Sequence, residues 1–482
     1  MSGAKKIVTN TLVITISQII NYGLGFIFTA YMARYLQADS FGMLSAGISI
    51  TQFFAIFADF GLHILMIREV SKDKASAGRY LGNIVAIKCG LMLAALAAIA
   101  LMASFGGYTS EGRTVIYIMS LSMVFFSFSA MFYAFFQAFD NMKYQAFGLI
   151  LTSLIMLSGT AVACSLRLGV VYFAAIYLIS NLLVFLYAFS ACTLKFLRPQ
   201  IRFEVGFWKN LAGEAAPFGI SNMFSTVYVI FGTIALSFVQ DYQAVGLYSA
   251  AYRLITYLLI VPGIVNMAIF PTMSSLSVSS RESLKFLCHK YQKVMILAGL
   301  PIAFSFTALA DKIISFIYGS SFSGSTFALQ IMIWSVIFTY VAAPMVLLCM
   351  AIGKQTLITR VTGLAMIVNV ALNLLLIPVF SYLGASIVTL ANEAIVISLV
   401  YFFAYRLGYS LPVKKLTDIT FRVAISSLIM VAFIFVFHDL PVVALLPMAF
   451  IVYAIAVLLL RGVDDADLDL AKSVLKREHV YV

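Results

Sequence analysis

The chain has 482 residues, of which 63% are hydrophobic and 10% charged, with a mean hydropathy of +1.03 and a net charge of +12. That much apolar surface excludes a soluble globular protein and calls for an integral membrane protein, its spans long enough to be helices rather than barrel strands. The five cysteines, Cys89, Cys164, Cys192, Cys288 and Cys349, show no CxxC or paired spacing, so neither disulfides nor a metal site is expected.

About fourteen apolar spans follow one another, at roughly 8–33, 42–67, 80–104, 114–139, 145–166, 171–193, 215–239, 245–273, 294–310, 326–351, 356–377, 382–405, 418–437 and 441–460. The first starts just after Lys5 and Lys6 and meets no small-residue cleavage site before Arg34, so it reads as a retained span, not a signal peptide. Most of the 31 Lys and Arg fall in loops on one side; Arg34, Arg113, Arg167 and Lys312 fall on the other, and Lys88 and Arg253 lie within spans. The asymmetry predicts both termini in the cytoplasm. It also explains the net charge without nucleic acid, because these residues lie beside an anionic leaflet. Loops on the outer side are short, the longest running over 311–325, and the loops at 194–214 and 274–293 are the largest inside. After the last span, acids from Asp464 to Asp469 precede Lys472, Lys476 and Arg477, which suits a short surface helix aligned with its dipole or a partner-binding tail.

The chain repeats itself. Phe41-Gly42-Met43-Leu44-Ser45-Ala46 reads against Val245-Gly246-Leu247-Tyr248-Ser249-Ala250 without a gap, and Ser17-Gln18 falls on Ser221-Asn222 in the same register. An even number of spans separates the copies, so the repeat is parallel. The expected organisation is an all-α polytopic protein. It has a six-helix lobe over 1–193, a cytoplasmic linker over 194–214, a second six-helix lobe over 215–405, two further helices over 406–461 and a cytoplasmic tail over 462–482.

Several elements resemble a known family. The first half holds Ala33-Arg34-Tyr35-Leu36-Gln37-Ala38-Asp39-Ser40-Phe41-Gly42, then Asp59-Phe60-Gly61-Leu62 and Arg68-Glu69. The second holds Ala310-Asp311-Lys312-Ile313-Ile314, Tyr318-Gly319-Ser320-Ser321-Phe322 and Tyr382-Leu383-Gly384-Ala385-Ser386. In order and span count these resemble the Wzx-type polysaccharide and O-antigen repeat-unit flippases of the multidrug/oligosaccharidyl-lipid/polysaccharide transporter superfamily. The chain departs from the pattern at Gln37, where the family usually has glycine. The resemblance implies a flippase, not an enzyme. It implies that an undecaprenyl-diphosphate-linked oligosaccharide repeat moves from the inner to the outer leaflet of the bacterial inner membrane by alternating access, for O-antigen, capsule or exopolysaccharide. It implies contact with membrane lipids, and with a polysaccharide polymerase and chain-length machinery. The sequence carries no Walker element, metal cluster or nucleophile–base pair, so no cofactor is expected. The alternatives are a peptidoglycan-precursor flippase or a cation-coupled small-molecule antiporter of the same superfamily, and then a membrane polysaccharide polymerase, which the short outer loops disfavour.

A flipped diphosphate is anionic and needs a hydrated, partly cationic path across roughly 30 Å of hydrocarbon. Lys88 and Arg253 each lie eight residues into a span, roughly 12 Å deep from opposite faces. Arg grips phosphate with a planar fork, whereas Lys is a point charge. Each either lines the cavity or neutralises a buried acid. Asp59 lies at the depth of Lys88 on the adjacent span, which suits a structural pair, and His63, one turn from Asp59 on the same face, is either a packed histidine or, with that carboxylate, a proton-coupling site. Glu393, beside Asn392, is either a coupling acid or a partner for a cation such as Arg253. Asn369 and Asn373 share a helix face, as interhelical hydrogen bonds or sugar ligands. Pro262-Gly263 interrupts the span that carries Arg253 and is the expected hinge.

Overall fold

The computed structural model describes residues 3–409 and 413–463, which are almost wholly helical. The tail expected to form a helix from Asp464 onward lies outside the described residues. Among the described residues fifteen α-helices follow in order: α1 (Gly3–Asp59), α2 (Leu62–Lys72), α3 (Ala77–Phe105), α4 (Ser110–Ala138), α5 (Lys143–Ser165), α6 (Val170–Lys195), α7 (Val205–Val239), α8 (Tyr242–Leu258), α9 (Ile260–Ser279), α10 (Arg281–Ala308), α11 (Ala310–Tyr318), α12 (Ser325–Ala351), α13 (Gln355–Arg406), α14 (Val413–Val436) and α15 (Val442–Leu459). Among the described residues, 11 helical segments are long and apolar enough to cross a membrane, and the bent pair α10–α11 makes up to 12. Two of them, Leu12–Asp59 with 48 residues and Gln355–Arg406 with 52, are long enough for two crossings each. Divided at their breaks, they bring the total to the fourteen spans expected.

The breaks carry the first corrections. The sequence predicts a loop over 34–41. Instead the helix continues, interrupted only at Gln37, with φ 60° and ψ −179°. That backbone conformation is almost exclusive to glycine, the residue the resemblance expects here. Ser381, with φ 51° and ψ −136°, makes the equivalent turn in α13. The second span, expected as one helix over 42–67, breaks at Phe60 and Gly61, where φ is 39° and 82°. The outer segment 311–325, expected as a loop, holds α11 and a short 3₁₀ turn at Ser320–Phe322, with α11 bent by 78° from α10.

The chain divides into two compact units, Met1–Ala250 with Met366–Ala385, and Ala251–Ala365 with Ser386–Val482. In the first, α4 packs along α6 and α1 along α5. Leu65, Met66, Phe135, Phe136, Cys192 and Leu211 build a core where α2, α4, α6 and α7 meet. A second core around Ile50, Met92, Ile99 and Met123 joins α1, α3 and α4. In the second unit, α10 packs on α12 and α14, and α14 on α15. Leu93, Leu101, Phe126 and Leu154 on the first unit, and Ile451 and Leu458 on the second, are exposed, as helices facing lipid require.

The repeat reappears as a contact in the first unit. A methyl group on Gly42 would collide with the carbonyl oxygen of Tyr242, and one on Gly246 with that of Ala38. In the repeat register Gly42 falls on Gly246 and Ala38 on Tyr242, so the contact is isologous: each copy offers the other the same surface. Only glycine allows that backbone approach.

Candidate functional site

In the first unit, Lys88 Nζ donates to Asp59 Oδ1 at 2.6 Å, and His63 Nδ1 bonds the other carboxylate oxygen, Oδ2. Lys88 is 1% exposed. A lone ammonium at that burial costs several kcal/mol, roughly, and Asp59 is the partner that makes it tolerable. Asp59 is the last residue of α1, directly before the break, so its charge also sits favourably before the start of α2. Gly61 closes the break against α7: a Cβ there would lie 2.6 Å from the Ala215 oxygen and 2.6 Å from the Gly219 nitrogen. The carboxylate, the imidazole and the helix break form one local structure.

Asn369 and Asn373 are buried in the first unit, where Asn373 Nδ2 donates to the Asn369 carbonyl at 2.9 Å and to Asn369 Oδ1 at 3.0 Å. Among the described residues Asn373 Oδ1 has no partner.

In the second unit, Arg253 is half-buried on α8, close enough to Tyr318 of α11 for its charge to act on the buried phenol, with Tyr257 in reach of the same hydroxyl. Glu393 Oε2 is hydrogen-bonded to Thr339 Oγ1 of α12 at 2.9 Å. Asn392 beside it is buried, and neither of its side-chain polar atoms has a partner among the described residues.

The helix after Arg253 is interrupted at Leu259, between α8 and α9. Pro262 has no N–H, so the Leu258 carbonyl loses its partner one turn on. Tyr340 of α12 supplies the replacement, its hydroxyl donating to the Leu258 oxygen at 2.7 Å. Tyr291 of α10 donates to Asn266 Oδ1 at 2.6 Å, one turn beyond the proline. A Cβ on Gly263 would meet nothing within 4 Å. Tyr340, Tyr291 and Thr339 are absent from the sequence reading. Their only advance signal is a buried hydroxyl that must find an acceptor.

The second unit also holds a cavity of about 1060 Å³, lined by α10, α12, α13 and α14. Ile296, Ile337, Ile397 and Phe421 make its walls, with Gln292 and Tyr401 among the few polar groups. A large apolar cavity with sparse polar points suits a lipid-like chain.

The sequence model of the polysaccharide biosynthesis protein family matches residues 7–277. The chain belongs to that family. No curated protein matches it in sequence. Among solved structures it is similar to one described as the lipid II flippase MurJ in an inward closed conformation, with a TM-score of 0.76 and 15% identity over 93% of this chain and 99% of that one. It is similar to an inward-facing multidrug resistance MATE family transporter of the MOP superfamily, with a TM-score of 0.64 and 12% identity over 82% and 96%. A mutant of the Vibrio cholerae MATE transporter VcmN gives a TM-score of 0.51 and 16% identity over 84% and 96%. This member of the polysaccharide biosynthesis family therefore has the fold shared by MurJ and MATE transporters. The family match spans the Asp59–His63–Lys88 cluster, Arg253 and the Pro262–Gly263 break, and ends before α10.

Proposed function

We propose that this polysaccharide biosynthesis protein is a flippase. It moves an undecaprenyl-diphosphate-linked oligosaccharide from the inner to the outer leaflet of the bacterial inner membrane by alternating access, both termini being cytoplasmic. The observation that carries the reading is Arg253: a guanidinium half-buried in an apolar helix, less than two turns before a proline break that a hydroxyl from another helix stabilises. A cation beside a bendable segment can hold a diphosphate on one side of the membrane and release it on the other. Glu393 and Asn392 are the second polar cluster of that unit, and Asn369 and Asn373 offer amide groups to sugars. The apolar cavity among α10, α12, α13 and α14 takes the polyprenyl chain. Asp59, His63 and Glu393 are the coupling candidates, and Asp59 and His63 stand directly at the break at Phe60–Gly61. The two lobes over 1–193 and 215–405 move against each other, and Pro262–Gly263 is a hinge.

Proteoliposomes loaded with a fluorescent undecaprenyl-diphosphate oligosaccharide on both leaflets test this. The protein should make the protected half accessible to an external glycosidase, while undecaprenyl phosphate without sugar stays put. Absence of accessible substrate with any oligosaccharide tried would remove the reading. A second reading, a peptidoglycan-precursor flippase, draws on the similarity to MurJ. It predicts that an undecaprenyl-diphosphate-linked muropeptide moves faster than any other glycan.

A further inference from the structure

The linker between α6 and α7 is strapped to α3. Asn83, fully buried, is its hub. Asn83 Oδ1 accepts from the Glu204 backbone N–H at 3.1 Å and from Trp208 Nε1 at 2.9 Å. Its amide nitrogen donates to the Arg79 carbonyl at 3.0 Å and to Glu204 Oε1 at 3.3 Å. Both donors and both lone pairs of the amide are thus used. Arg79 adds Nε at 2.8 Å and Nη2 at 2.5 Å to Glu204 Oε2, and its guanidinium lies 4.3 Å over Phe207. The Arg202 backbone N–H reaches the Gly82 carbonyl at 3.3 Å, where a methyl on Gly82 would strike the Gln200 carbonyl.

That strap turns a run of apolar side chains outward. Ile201 is 58% exposed, Phe203 72% and Val205 71%, and Leu194 is exposed at the end of α6. Lys195, Arg198, Arg202 and Lys209 are exposed among them, and among the described residues Lys195, Arg198 and Lys209 form no ion pair. Helix length sets the depth. The 35 residues of α7 span about 52 Å against a hydrocarbon core of about 30 Å, so its first turns overhang into the headgroup region. Apolar side chains interleaved with exposed cations at that level match an anionic lipid surface: the rings and branched chains enter the acyl boundary and the cations meet phosphates. Trp208, held by Asn83, sits where aromatic residues anchor at membrane interfaces.

We propose that the α6–α7 linker is a binding surface for anionic phospholipid, with Ile201, Phe203 and Val205 inserted and Lys195, Arg198, Arg202 and Lys209 contacting the headgroups. The surface needs no substrate and no particular orientation, so its failure is separate from that of the transport reading.

Trp208 and Trp334 are the two tryptophans. The full-length Trp334→Phe protein in nanodiscs therefore reports on Trp208 alone. Lipid brominated near the glycerol backbone should quench its fluorescence about twice as strongly as lipid brominated near the chain end. At low salt, bromine carried on phosphatidylglycerol should quench about twice as strongly as the same bromine on phosphatidylcholine, and high salt should erase that difference. The quadruple change Lys195→Gln, Arg198→Gln, Arg202→Gln, Lys209→Gln should erase the charge preference and keep the depth. If Trp334→Phe fails to fold, the difference between the unmutated and Trp208→Phe proteins gives the same reading. Equal quenching by the two headgroups, or no quenching by either lipid, overturns the proposal.

Discussion

The hydroxyl of Tyr340 donates to the carbonyl of Leu258 at 2.7 Å, occupying the acceptor that Pro262 leaves empty. A proline in a membrane helix needs such a substitute, because lipid offers none. Tyr340→Phe should cost about 1–3 kcal/mol by leaving the half-buried Leu258 carbonyl without a partner. In a Pro262→Ala background a backbone N–H returns, and the same substitution should cost much less. Melting temperatures of the two singles and the double, in detergent, check this; equal costs in both backgrounds would mean that the tyrosine serves something else.

Gln37 holds a backbone conformation that a side chain makes expensive. Gln37→Gly should relieve roughly 1–3 kcal/mol of strain and raise the melting temperature. A lower one would show that the Gln37 side chain contributes more than the strain costs.

Lys88 is buried against Asp59 at 2.6 Å. Lys88→Met should destabilise by about 3–5 kcal/mol, because it strands the carboxylate. Adding Asp59→Asn should recover most of that loss. Transport separates structure from coupling. A stable double variant that still flips substrate marks the pair as structural, and a stable but inactive one marks it as a coupling site.

Glu204 has its carboxyl held below the ordinary value of 4.5, first by the hydrogen bond from Arg79, with the Asn83 amide and the charges of Arg79 and Arg202 adding to it. A group depressed on folding gives stability that is whole above its unfolded pKa and is lost as pH falls through the lower folded value. The strap should therefore stay closed at neutral pH and loosen only in acid, below the usual glutamate range. Trp208 emission of the Trp334→Phe protein should shift to the red over that window and stay constant from about pH 5.5 upward. Glu204→Gln should flatten the profile. A transition near neutral pH would implicate another group.

Most of the fold was open to reading because lipid-facing helices are apolar all round and announce themselves by length. The breaks were not equally legible. Pro262 signals its own interruption chemically, whereas Phe60–Gly61 lies inside an apolar run and is imposed by the close approach of Gly61 to α7. The loop expected at 34–41 failed for a physical reason. A single residue at positive φ kinks the chain while its neighbours stay helical, and the residue filling the glycine position is Gln37. At the candidate site, the contact between Asp59 and Lys88 follows from equal depth on neighbouring spans. Tyr318, within electrostatic reach of Arg253, and Thr339, bonded to Glu393, arrive from distant helices and leave no trace in local pattern.

In the proposed transport cycle Arg253 meets the lipid-linked diphosphate. The deciding measurement is the rate at which the Arg253→Ala, Glu393→Gln double variant makes fluorescent undecaprenyl-diphosphate oligosaccharide accessible in proteoliposomes, at a melting temperature matching the unmutated protein. If Arg253 binds the anion, that well-folded double variant is inactive and Arg253→Lys alone keeps part of the rate. Recovery of the full rate in the double variant would show that Arg253 serves only to neutralise a buried acid, and would rule out its binding of the diphosphate.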